Sequence, residues 1–113
     1  MPPMNSAMPG LAAILLLASG LAANAQESGD AAAGVRFARS ACGPCHAIEP
    51  GQASSPNADA PAFQVIANMP SMTGTALTVW LRTSHPTMPN LQLTPAETAD
   101  VIAYIESLRR RRK

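Results

Sequence analysis

The stretch Asp30-Ala31-Ala32-Ala33-Gly34-Val35-Arg36-Phe37-Ala38-Arg39-Ser40-Ala41-Cys42-Gly43-Pro44-Cys45-His46 decides the reading of this chain. Its first part has the pattern of a helix over Ala31–Ala41. Asp30 suits the N-cap, and Gly34, Phe37, Ala38 and Ala41 recur at i, i+3, i+4 and i+7. Its last five residues are C-x-x-C-H, the spacing of covalent haem attachment. Each cysteine sulfur adds to one vinyl group on an edge of the porphyrin, and a two-residue gap on a helical turn lets both sulfurs reach. The adjacent His46 then lies against the iron as its proximal ligand.

Other readings of the motif fit less well. Cys-Gly-Pro-Cys is also a thiol redox motif, but that use requires a βαβ setting with a strand before the first cysteine. Here a helical pattern precedes it, and no strand alternation occurs anywhere in the chain. A zinc site needs four ligands, and beyond Cys42, Cys45 and His46 the chain has only one other histidine, His85. A Cys42–Cys45 disulfide would close so short a loop that it would add little stability. Two buried cysteines beside a solvent-facing histidine would leave the motif, the export pattern and the small core unexplained.

The 113 residues fit one domain, preceded by a leader. Leu11–Ala18 is an apolar run and Ala23-Asn24-Ala25 has the A-x-A form of a cleavage site, so residues 1–25 read as a signal peptide and the protein as exported to the periplasm. The leader lacks the usual Lys or Arg before its apolar run. An uncleaved membrane anchor is the competing reading, but residues 11–25 fall short of the roughly 20 that a spanning helix needs. The domain then runs over residues 26–108, with a basic tail over 109–113. A chain of this size gains little stability from an apolar core alone, and only four aromatic residues are present, so a cofactor is the expected staple. The net charge of +1 conceals an asymmetry: setting aside Arg109-Arg110-Arg111-Arg112-Lys113 leaves three arginines against seven acids.

Residues 47–60 are rich in Gly, Pro, Ser and Asn and read as a long loop, a length that compact domains keep for a function such as wrapping a haem face. A short helix is expected over Pro61–Asn68 with Pro61 at its first position. A third is expected over about Thr75–Ser84, with Leu77, Trp80, Leu81 and Ser84 on one face and Pro86 ending it. Thr94-Pro95-Ala96-Glu97 is a capping box that opens the last helix, whose apolar stripe is Val101, Ile105 and Leu108, with Ile102 and Tyr104 beside it. The fold class is therefore all-α, with four to five helices around one covalently bound haem c.

The sixth iron ligand is expected from Met69, Met72, Met88 or His85. Met88 is favoured because Pro86 and Pro89 stiffen the loop His85-Pro86-Thr87-Met88-Pro89-Asn90 that carries it, and because His/Met is the electron-transfer pairing of haem iron.

From Gly29 to Leu108 these residues resemble the class I cytochrome c family. The resemblance rests on Cys42-Gly43-Pro44-Cys45-His46, on Met88-Pro89 about forty residues later, and on Leu93-Thr94-Pro95-Ala96-Glu97 running into Asp100–Ile105. It implies that the first and last helices cross where Gly34 and Phe37 meet Tyr104. It also implies that the Pro61 carbonyl receives the proton of the proximal imidazole. Trp80 would contact the haem at a propionate, with core packing the alternative. The lysines that ring the haem edge in mitochondrial members are absent, and the basic tail is not a family feature, so no partner carries over.

These readings converge on an electron-transfer protein rather than an enzyme. It would shuttle single electrons between redox partners such as a dehydrogenase, an oxidase or a membrane complex. No nucleic acid is implied, and membrane association would run only through the basic tail or an uncleaved N-terminus. The alternative is a haem-bearing subunit of a larger dehydrogenase, or a haem sensor with an open sixth site.

Overall fold

The computed structural model describes residues 1–3 and 28–110, so nearly all of the expected leader over 1–25, and residues 111–113 of the tail, lie outside the described residues. Four helices and no strand occur among the described residues: α1 (Ala31–Ala41), α2 (Phe63–Asn68), α3 (Gly74–Arg82) and α4 (Pro95–Ser107). Within the described residues, each of α1, α2 and α3 packs on α4.

The local chemistry accounts for each boundary. Asp30 caps α1 by accepting from the Ala32 amide at 2.8 Å. Thr73 caps α3 through the Ala76 amide. Thr94 and Glu97 form the reciprocal capping box of α4, with Pro95 following the cap. Such caps satisfy amides that have no partner within the helix.

Two expected boundaries shift. α2 begins at Phe63 rather than Pro61, because the chain at Pro61–Phe63 is tied back to the motif. The Pro61 carbonyl faces His46, the Phe63 amide donates to the Ala47 carbonyl, and Ala62 becomes the cap. α3 ends at Arg82, two residues before Ser84. Thr83 turns extended at ψ 136° while its amide and hydroxyl both donate to the Val79 carbonyl, leaving the chain extended ahead of Pro86.

The core is built where α1 meets α4. Ala38, Val101, Ile105 and Leu108 are buried there with Ile48, Phe63, Ala67, Leu77 and Tyr104. Gly34 is what permits the approach: a Cβ on it would collide with the carbonyl oxygen of Asp100 and crowd Cβ of Tyr104. A mid-helix glycine costs about 1 kcal/mol against alanine, and the close backbone contact accounts for it. The crossing expected at Gly34 and Tyr104 is present. The aromatic partner of Tyr104 is Phe63, at 6.4 Å between ring centroids, while Phe37 is half-buried against the same core.

Residues 47–60 form an ordered loop held by side chains. Ser55 accepts from the Ala47 amide, and Gln52 accepts from the amides of Ile48 and Glu49. The Asn57 amide donates to the Cys45 carbonyl, and the Tyr104 hydroxyl donates to the Ile48 carbonyl at 2.6 Å. Glu49 also pairs with Arg39 of α1 at 2.6 Å, on an exposed surface where such pairs add little stability.

Candidate haem site

The C-x-x-C-H stretch continues the winding of α1. Cys42 is the C-cap, and the amides of Cys42 and Gly43 both donate to the Ala38 carbonyl. The Cys42 carbonyl then accepts from the amides of both Cys45 and His46, at 3.1 and 2.9 Å. This tight turn needs glycine at its second residue, since a Cβ on Gly43 would stand 2.6 Å from the Arg39 carbonyl oxygen. Pro44, which has no N–H to satisfy, occupies its exposed side.

Both cysteines are free thiols. Cys42 is buried, and that burial pushes its thiol up to about 11; Cys45 is half-buried. His46 is half-buried, its ring 5.5 Å from the Phe63 ring by centroids. Its Nδ1 lies 2.7 Å from the Pro61 carbonyl oxygen. A carbonyl only accepts, so Nδ1 carries the proton and Nε2 keeps its lone pair for a metal.

Phe63 and Tyr104 extend this arrangement into the core. Their buried rings stand in series behind His46, and the Tyr104 hydroxyl reaches back to Ile48, two residues past the histidine. Burial, and secondarily the carboxylate of Glu49, raise the Tyr104 hydroxyl above its ordinary range, with Arg39 acting the other way.

Of the expected distal candidates, Met72 is packed against the core and Met69 is an exposed residue at the end of α2. Met88 is half-buried in the loop after α3, with its Sδ 2.8 Å from Nε2 of His85. Trp80 is 50 % exposed and stands outside the buried core cluster; its ring and that of His85 meet edge-on, with centroids 5.0 Å apart and planes at 83°. Trp80, His85 and Met88 thus form one cluster. The sequence offered His85 only as a rival ligand. The signal for its contact with Met88 was the three-residue spacing inside a proline-framed loop.

The residues fit a covalently held haem. Two free thiols and an imidazole with an unspent Nε2 arise from one turn, and large apolar side chains at Val65, Met69, Val79 and Trp80 stay exposed.

No protein-family model and no solved structure gave a significant match to the chain. A curated relative did. Cytochrome c-552 of Bradyrhizobium diazoefficiens is 34% identical over 106 residues, which span 94% of this chain and 99% of the relative. The chain belongs to the class I c-type cytochromes. Its cofactor is accordingly one covalent haem c, its fold is the helical one of that family, and it transfers electrons with redox partners. No helix among the described residues of this cytochrome is long and apolar enough to cross a membrane.

Arg109 is a residue whose role the sequence hid. As the first residue of a basic run it read as part of a tail. Its Nε donates to the Ala67 carbonyl at 3.0 Å and its Nη2 to the Met72 carbonyl at 2.8 Å. The Arg110 amide donates to the Asn68 side chain. These contacts satisfy carbonyls at and beyond the C-terminal end of α2, a position where a cation is favoured.

Proposed function

We propose that this cytochrome is a periplasmic single-electron shuttle whose haem is bonded to Cys42 and Cys45, with His46 the proximal and Met88 the distal iron ligand. The observation that carries the reading is the His46–Pro61 contact, which fixes the imidazole tautomer and leaves Nε2 with its lone pair free. A haem so held supplies a one-electron couple at its iron.

The residues divide the remaining work. The Pro61 carbonyl holds the His46 ring in orientation and raises its basicity as a donor. Phe63 backs that ring with buried apolar surface, and Tyr104 backs Phe63 in turn. The Met88 thioether is a soft donor that favours the reduced state and raises the potential. Trp80 stands beside the Met88 loop through His85, which supports a place for it at the haem. The A-x-A pattern ending at Ala25 supports export, and residues 1–25 would be removed. A dehydrogenase, an oxidase or a membrane complex would exchange electrons with the protein.

The reading is tested by spectra of the purified, haem-loaded protein. Haem should stay with the polypeptide on acid–acetone extraction, and Met88→Ala should abolish the methionine–iron charge-transfer band of the ferric form. Extractable haem would refute attachment at the two cysteines. A surviving band would assign the distal position to another residue.

A further inference from the structure

His85 is held in the same way as His46. Its Nδ1 lies 3.0 Å from the Thr83 carbonyl oxygen, which only accepts, so the one proton of the neutral imidazole sits on Nδ1 and Nε2 keeps its lone pair. That nitrogen lies 2.8 Å from Met88 Sδ, and neither atom has a proton to share. Two lone-pair donors thus converge with no hydrogen bond between them. Two metal–ligand bonds of about 2 Å can hold their donor atoms up to about 4 Å apart, so a single metal position lies within reach of both. A haem seated on His46 leaves one distal position, and only one of the two donors fills it at a time.

The two donors are mounted differently. The Thr83 amide and hydroxyl both donate to the Val79 carbonyl, so the anchor of His85 belongs to the end of α3. Trp80 of the same helix packs edge-on with the imidazole. Met88 lies beyond Thr87, whose φ of 71° is the one positive value on a non-glycine residue among the described residues. A β-branched residue is strained there, and such a turn persists only while its surroundings hold it. Release of the Met88 thioether frees that turn, whereas His85 stays tied to α3.

We propose that His85 is a reserve distal ligand, whose Nε2 takes the position when the Met88 thioether leaves it. The proposal rests on the reading of Met88 as the distal ligand. In the exchange the bond from Sδ to iron breaks and a bond from Nε2 forms. Each electron pair stays with its own donor, and no proton moves because Nε2 carries none. Imidazole suits iron, whereas the soft thioether favours the ferrous form, so the exchange belongs to the ferric protein. It keeps the distal position closed to small molecules, and it lowers the potential by putting a second histidine in place of methionine.

The test uses the haem-loaded full chain, its Met88→Ala variant, and the double variant Met88→Ala, His85→Ala, with nitrogen NMR of the reduced wild type. In the wild type the ring proton of His85 should be on Nδ1; a proton on Nε2 would overturn the proposal without any variant. Ferric Met88→Ala should lose the methionine–iron band yet stay low-spin, with the electron paramagnetic resonance signature of two imidazoles, and its midpoint potential should fall. The double variant should lose the low-spin signature, become high-spin, and bind carbon monoxide faster in its reduced form than Met88→Ala does. A high-spin Met88→Ala would show that Nε2 does not reach the iron, and the proposal fails while the Met88 ligand stands. A double variant that remains low-spin would assign the reserve role to another residue and overturn the proposal equally. If Met88→Ala keeps the methionine–iron band, the underlying ligand reading has failed instead.

Discussion

Nδ1 of His46 lies 2.7 Å from the carbonyl oxygen of Pro61, fifteen residues away, with the ring of Phe63 5.5 Å from the imidazole. The contact uses only the backbone of Pro61, so Pro61→Ala should keep it. The expected result is an unchanged ferrous haem spectrum and a loss of less than about 1 kcal/mol, because the ring serves mainly to restrict the unfolded chain. Phe63→Ala removes buried support from both His46 and Tyr104 and should cost about 3–5 kcal/mol. Guanidinium unfolding monitored at the haem absorbance checks both; a large loss in Pro61→Ala would show that the ring itself is needed.

Gly34→Ala tests the helix crossing. The added Cβ meets the Asp100 carbonyl oxygen, a backbone atom that cannot swing aside, so α1 and α4 must move apart. A loss of about 1–3 kcal/mol is expected from the overpacking. Alanine is the better helix former, so an isolated α1 peptide carrying the change should gain helicity by circular dichroism while the protein loses stability.

Tyr104 links alkaline behaviour to the loop after the motif. Its hydroxyl is raised in the folded protein and donates to the Ile48 carbonyl. The folded state therefore holds this proton more tightly than the unfolded chain. Its contribution is complete below the ordinary tyrosine range near pH 10 and is lost as pH rises through the higher folded value. Tyr104→Phe should cost about 1–2 kcal/mol at neutral pH, leaving the Ile48 carbonyl without its partner. It should also flatten the fall in stability above about pH 10, measured by urea unfolding across pH 8–11.

Arg109→Ala should lower stability by about 1 kcal/mol, a modest figure because the side chain is partly exposed. Arg109→Lys should restore little, since one ammonium cannot reproduce two diverging N–H donors. Removing residues 111–113 should leave the unfolding midpoint unchanged and, if the tail docks on acidic partners, slow association at low salt alone. Thermal melts and stopped-flow electron transfer at two ionic strengths separate these effects.

Helix content was legible in the sequence wherever local rules act without competition. Asp30 and the Thr94–Glu97 box cap α1 and α4 at the expected positions, and Val101, Ile105 and Leu108 are buried as their spacing required. The start of α2 was not legible, because the carbonyl of Pro61 and the amide of Phe63 are committed to His46 and Ala47, fifteen and sixteen positions earlier. No local propensity records such a partner. Arg109 was hidden for the same reason: its partners are 42 and 37 residues away, and a run of five like charges gives no sign that its first member is tied to the backbone around the end of α2. At the site, the spacing of Cys42, Cys45 and His46 raised the haem reading, and the helical pattern before them argued against a thiol redox site. The contact between His85 and Met88 depends on the turn at Thr87, which the sequence leaves undetermined.

The pairing of α1 with α4 also sets the order in which this protein can be completed. Synthesis proceeds from the N-terminus, so the buried face of α1 at Gly34 and Ala38 exists before its partner does. That face waits until residues 95–107 have been made. Closing so long a loop costs entropy that only the final contacts return. A chain cut short before α4 would leave the turn bearing Cys42, Cys45 and His46 without the helix its neighbours pack on. The core shared by the four helices is therefore complete only once the last of them has been made.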